Sequence, residues 1–180
     1  LQALAEGGHQ TGALALFEFC DNPIADDIIV ETLDYDESIR ITNEKLSRAG
    51  KVVIAEGAFR FNQLFIRADI IVKHAVGKVI DIYEVKAKSW NSDVENELSF
   101  ISYLGKATEG INSKWAPYLY DIAFQKYVVS KAFPDYTVNS HLLLVDKAKK
   151  ATVNGLNQIF QNYSVYYYEQ YAPSSSNSDL

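Results

Sequence analysis

Three short apolar segments separated by turn-length gaps constrain this chain more than any other feature. They run over Val52–Phe61, Leu64–Val72 and Val79–Ala87. Each is rich in Val, Ile and Phe, residues that suit a pleated, half-buried surface. Asn62-Gln63 has the length of a two-residue hairpin loop, and Val76-Gly77 can close a second hairpin. Folding at those two points gives an antiparallel three-strand meander. It also sets Glu56 opposite Asp69, and Asp69 opposite Glu84, with facing Cβ atoms about 5 Å apart. Glu84 and Lys86 are two apart and share a strand face. One extra residue in either loop would turn a strand over and scatter the set.

Like charges directly across a sheet are destabilising. Three carboxylates in a row call for a cation, or for protons that neutralise them. Oxygen ligands suit a hard divalent ion such as Mg²⁺ or Mn²⁺. Such an ion polarises a phosphoryl oxygen and acidifies its bound water. A lysine beside it can orient that water or offset transition-state charge. Asp69, Glu84, Glu56 and Lys86 therefore read as a metal site for phosphodiester hydrolysis. The plain alternative is a surface patch in which each acid pairs with a nearby Lys or Arg.

Asp69, fourteen residues, then Glu84-Val85-Lys86 resembles the D…(D/E)-x-K signature of the PD-(D/E)XK nuclease superfamily. The fuller string Arg67-Ala68-Asp69-Ile70 … Tyr83-Glu84-Val85-Lys86-Ala87-Lys88-Ser89 is similar to its RecB-type branch. Tyr120-Asp121-Ile122-Ala123-Phe124-Gln125-Lys126-Tyr127 resembles an uncharacterised bacterial group within that branch. The likeness spans residues 1–160. It implies a restriction-endonuclease-like α/β core, a central mixed sheet flanked by helices. It also implies metal binding by Asp69 and Glu84, a catalytic Lys86, an accessory acid or ligand in Glu56 and a motif glutamine in Gln125. His9, in Gly7-Gly8-His9-Gln10-Thr11-Gly12, resembles the metal-binding histidine of an N-terminal helix in that branch; a solvated histidine at a helix start is the alternative. Position 129 is Val where the motif often carries Tyr.

Residues 117–132 read as a helix opened by Pro117. At about 100° per residue, Phe124, Val128, Ala132, Tyr118, Val129 and Ile122 form one apolar arc. Asp121 and Gln125 fall inside it, and buried polar groups need partners. Gln125 is expected to face the active site. For Asp121 a local cap or pair stands beside a site-facing role. His74 is expected to be solvated beside the second turn, and His141 to be a satisfied structural residue.

Elsewhere, residues 1–19 read as a helix. An acidic loop containing Asp26, Asp27, Glu31, Asp34, Asp36 and Glu37, expected to be solvated, precedes a helix at Ile39–Arg48. Residues 89–114 read as a polar insertion, a lid or substrate wall, with a helix near Val94–Tyr103. Phe133-Pro134-Asp135 breaks the Gln125 helix, and Val138–Val145 is expected to return to the sheet. The expected domain is 1–165. The tail 166–180 runs from the end of the tyrosine cluster Tyr163–Tyr171 into a serine-rich, partly disordered end.

The 180 residues carry a net charge of −6, one cysteine and no methionine. One cysteine rules out an intrachain disulfide and a cysteine-rich zinc site; Cys20 reads as a small core residue. No 18-residue apolar run appears, so no membrane partner is expected, and a cytoplasmic location is. The acidic balance is unlike a general nucleic-acid binder, but a nuclease tolerates it when metal ions supply local positive charge. Lys147, Lys149 and Lys150 read as a solvated run, and Lys73, Lys78, Lys86 and Lys88 gather on the second hairpin. The chain is expected to be a piece of a longer protein with further domains. The leading expectation is a Mg²⁺- or Mn²⁺-dependent nuclease acting on DNA in repair, recombination or defence. The alternatives are an inactive nucleic-acid- or protein-binding module on the same fold, and a plain α/β domain with surface salt bridges.

Overall fold

The meander forms where the local signals place it. In the computed structural model, which describes residues 11–21, 27–104 and 107–150, the strands are β1 Val52–Phe61, β2 Leu64–Lys73 and β3 Val79–Trp90. Asn62 takes the left-handed conformation at φ 54°, which Asn tolerates, and the turn closes on Phe61 opposite Leu64. The second turn closes on Lys73 opposite Ile80, with Gly77 at φ 89°. Both registers are those expected. A fourth strand, β6 Thr137–Asp146, returns parallel to β3, giving the order β1-β2-β3-β6.

Helices cover both faces of this mixed sheet. Residues 11–16 form α1, whose Ala15 and Leu16 pack with Ala55, Ile70 and Val72. On the other face, α2 Tyr35–Ser47 and α3 Ala116–Ala132 join Ile54, Phe59, Ile71, Ile80 and Ile82 through Leu46, Ile122, Val128 and Val129. Among the described residues no helix is long and apolar enough to cross a membrane.

Helix α2 starts four residues before the expected Ile39. Asp34 caps it, its Oδ1 accepting the Glu37 N–H at 2.8 Å. The described acids of this stretch are solvated as expected, with Asp27 and Asp36 exposed while each pairs with a basic side chain. Asp27 pairs with Lys45 at 2.9 Å and Arg48 at 3.0 Å, and Asp36 with Arg60 at 2.6 Å. The C-terminal end of α2 is closed by Lys73, which is buried and donates to the carbonyls of Leu46, at 2.7 Å, and Arg48. Those carbonyls have no partner within the helix. Lys73→Met keeps the apolar stem and removes both bonds, and chemical denaturation is expected to show a loss of about 2 kcal/mol.

The region 89–114 departs from its expected form. β3 extends to Trp90, and the expected helix is only a four-residue 3-10 turn at Glu97–Phe100. A hairpin of β4 Ile101–Leu104 and β5 Ala107–Ile111 follows. Its base is fixed by aromatic packing: Trp90 stacks on Phe100 at 5.3 Å, and both meet the buried Trp115. The alternation of aromatic and polar residues fits a strand as well as a helix over so short a stretch.

Candidate active site

The first two strands share a hidden irregularity. On β1, Val52 and Ile54 face the α2/α3 core, and so do Phe59 and Phe61; the alternation slips by one residue between them. On β2, Leu64, Ile66 and Ala68 face that core, and then Ile71 does. Both slips fall at the same level, at Glu56 and Asp69. Because both strands gain one step together, the pairing register is the same above and below. Glu56 holds φ 57°, a strained conformation for a side chain of its size. Gly57 follows because a Cβ there would stand 2.1 Å from Cδ1 of the buried Ile71. The outcome is that Ala55 and Glu56, and likewise Asp69 and Ile70, line one pocket of about 310 Å³.

Glu84 and Lys86 reach the same pocket from β3, and Gly12, Ala13 and Leu16 of α1 form its opposite wall. The β2–β3 ladder stops at Ile70 opposite Tyr83. Past that point Asp69 Oδ2 accepts the Val85 N–H at 2.7 Å. The carboxylate thus terminates the ladder and opens the fork in which the pocket lies. Burial pushes the Asp69 carboxyl up to about 7; the charges of Glu84 and Glu56 add to this, and the Val85 bond and Lys86 only partly offset it. Asp69 is thus half-neutralised near neutral pH.

Helix α3 completes the site. Its Gln125 is buried, and Nε2 donates to Glu84 Oε2 at 2.5 Å and to Asp121 Oδ1 at 3.4 Å. Lys86 Nζ donates to Glu84 Oε1 and to Asp121 Oδ2, the latter at 3.4 Å. Glu84, Lys86, Asp121 and Gln125 therefore close a ring of hydrogen bonds. Burial works against the Lys86 charge, but the bond to Glu84 and the charges of Glu84, Asp121 and Asp69 hold its pKa above the usual lysine value. Gln125 Oε1 is buried and has no hydrogen-bond partner among the described residues, a costly condition.

Glu56, Asp69, Glu84 and Lys86 are thus brought together as expected, and Gln125 joins them. Glu56 lies 3.6 Å from Arg67, whose guanidinium is held by the carbonyls of Val30 and Thr32. His9 lies outside the described residues, as do the tyrosine cluster and the serine-rich tail. Asp121 was not in the expected set, although its i, i+4 spacing from Gln125 was the visible signal. The expected apolar arc of α3 is displaced: Ile122, Gln125, Val128 and Val129 are the buried positions, and Phe124 is 43 % exposed. Local spacing fixes a stripe but not which edge of it meets the sheet.

The histidine expectations also change. His74 is not merely solvated; its Nε2 lies 2.7 Å from Asp81 Oδ2. Asn139 donates to Asp81 Oδ1, and His141 stacks on Tyr83. Burial opposes ionisation of Asp81, yet the bonds from His74 and Asn139 hold it below the usual carboxylate range. Nor do the hairpin lysines form a basic patch. Lys73 is buried, Lys86 belongs to the ring, and Lys88 lies over the Trp115 and Tyr118 rings at 5.0 and 4.7 Å.

Among the described residues, the carboxylates that line the pocket, Glu56, Asp69 and Glu84, are oxygen donors that suit a hard divalent cation. Asp69 and Glu84 are the residues that would hold one, with Glu56 at the rim. The Asp69 carboxyl is raised chiefly by burial, with the charges of Glu84 and Glu56 adding to it. Among the described residues no three His, Cys, Asp or Glu side chains already converge at ligand spacing. Lys86 and Gln125 take both oxygens of Glu84. Comparison of the chain with protein-family models, curated proteins and solved structures returns no match.

Proposed function

We propose that this protein is a divalent-cation-dependent nuclease, hydrolysing phosphodiester bonds of DNA on a restriction-endonuclease-like core. The observation that carries this reading is Asp69. It is a carboxyl lifted to about 7 in a pocket beside Glu84 and Glu56, with an ammonium at the edge. The resemblance of Asp69…Glu84-Val85-Lys86 to the PD-(D/E)XK signature supports the same assignment. Mg²⁺ or Mn²⁺ bound here would supply an acidified water and charge neutralisation at phosphorus. The residues of the chain do the rest. Asp69 and Glu84 hold the ion, and Gln125 fixes the Glu84 rotamer. The Lys86 ammonium faces the phosphate and stabilises the negative charge that grows there. The walls given by Gly12 and Ala13 are small, which leaves space for a sugar-phosphate chain.

A binding module without catalysis is the second reading. The observation in its favour is that both Glu84 oxygens are already engaged inside the protein. Labelled single- and double-stranded DNA incubated with Mn²⁺, Mg²⁺ or EDTA separates the two. Cleavage that requires the ion is expected. Retention of both substrates intact, with binding detected by gel shift, would favour the module.

A further inference from the structure

Lys86 has two carboxylate acceptors that differ in kind. Glu84, on its own strand, lines the pocket and is buried. Asp121 lies across on α3, is 44 % exposed and does not line the pocket. A divalent cation at Glu84 would meet the Lys86 ammonium at short range, and like charges repel strongly where water is partly excluded. The ammonium must then move or the cation bind weakly. Asp121 Oδ2, at 3.4 Å, is the acceptor already within reach. Its own position is steadied by Gln125 Nε2 on its other oxygen, one helical turn along α3.

We propose that Asp121 is a positioning residue that draws the Lys86 ammonium off Glu84 and so sets the affinity of the pocket for a divalent cation. The inference rests on the cation-dependent reading above. In it, Asp121 touches neither ion nor substrate. It offers Lys86 a second resting place, so that Glu84 Oε1 becomes available to the ion while the amine stays at the edge of the pocket. Gln125 serves both states, since its amide spans Glu84 and Asp121.

The test is a calorimetric titration with Mn²⁺ alone on four forms of the full chain: wild type, Asp121→Asn, Lys86→Gln and the double variant. Asp121→Asn is expected to weaken Mn²⁺ binding about tenfold, the usual scale for a residue that orients a ligand. With Lys86→Gln there is no ammonium to hold, so adding Asp121→Asn is expected to change affinity by less than about twofold. An equal loss in both backgrounds overturns the proposal, because Asp121 would then be a ligand or a structural residue in its own right. An unchanged affinity in Asp121→Asn alone overturns it as well. Wild-type protein that takes up no Mn²⁺ at millimolar concentration sinks the cation reading itself, and the inference with it. Circular dichroism of each form establishes that all four are folded.

Discussion

Lys86→Ala is expected to lower ion-dependent cleavage of DNA by about a thousandfold, the scale on which removal of one preorganised charge donor acts. The amine is the cationic side chain that lines the pocket, and it is held charged by three surrounding carboxylates. Its side chain is 29 % exposed at the edge of the pocket, so truncation opens no enclosed cavity. A cooperative unfolding transition should therefore persist in the variant. Lys86→Arg keeps the charge but replaces a compact ammonium by a planar fork, and is expected to recover little activity. Single-turnover cleavage measured at saturating Mn²⁺ checks both. Wild-type rates in Lys86→Ala would remove this residue from the chemistry and with it the proposed site.

Asp69→Asn is expected to make the ion-free protein more stable, by about 4 kcal/mol at pH 8. The sign follows from the direction of the shift. The Asp69 carboxyl titrates at about 7 in the folded chain against 3.8 as a free side chain. The fold thus favours the protonated form. Stability from this group is complete below about pH 4, falls as the pH rises through 7, and is flat beyond. Asparagine carries no charge to desolvate and can still accept the Val85 N–H. The difference between variant and wild type should therefore be near zero at pH 4 and largest above pH 7. Urea denaturation at pH 4.5, 6, 7 and 8 measures it. Addition of Mn²⁺ narrows this gap, because the ion binds only the ionised wild-type site. At a hundredfold excess over its dissociation constant it stabilises the wild type by about 2.7 kcal/mol. A variant no more stable than wild type at pH 8 would show that Asp69 is not held away from ionisation.

The sheet was legible because its signals are local. Two turn-length gaps between segments rich in Val, Ile and Phe place β1, β2 and β3 and fix both registers, and the break at Pro134 ends α3 where expected. The site acids followed from that register. Helix ends were less legible. The Asp34 cap, whose side chain bonds the backbone three residues on, moves the start of α2 to Tyr35. The stretch 89–114 was not legible, because a β-hairpin anchored by Trp90, Phe100 and Trp115 depends on rings that meet only after the chain folds.

What the sequence determined by itself is the alignment of Glu56, Asp69 and Glu84 on adjacent strands, with Lys86 two residues along. The reason is that hairpin pairing is set by neighbouring residues and loop length. What only the tertiary structure decided is how those groups are held. The matched slips at Glu56 and Asp69 cancel in the register and so leave no trace in residue spacing. The ring through Asp121 and Gln125 joins residues 35 and 41 positions apart. It exists because α3 packs across the apolar face of the meander, and no local pattern specifies which helical edge that packing turns toward Glu84.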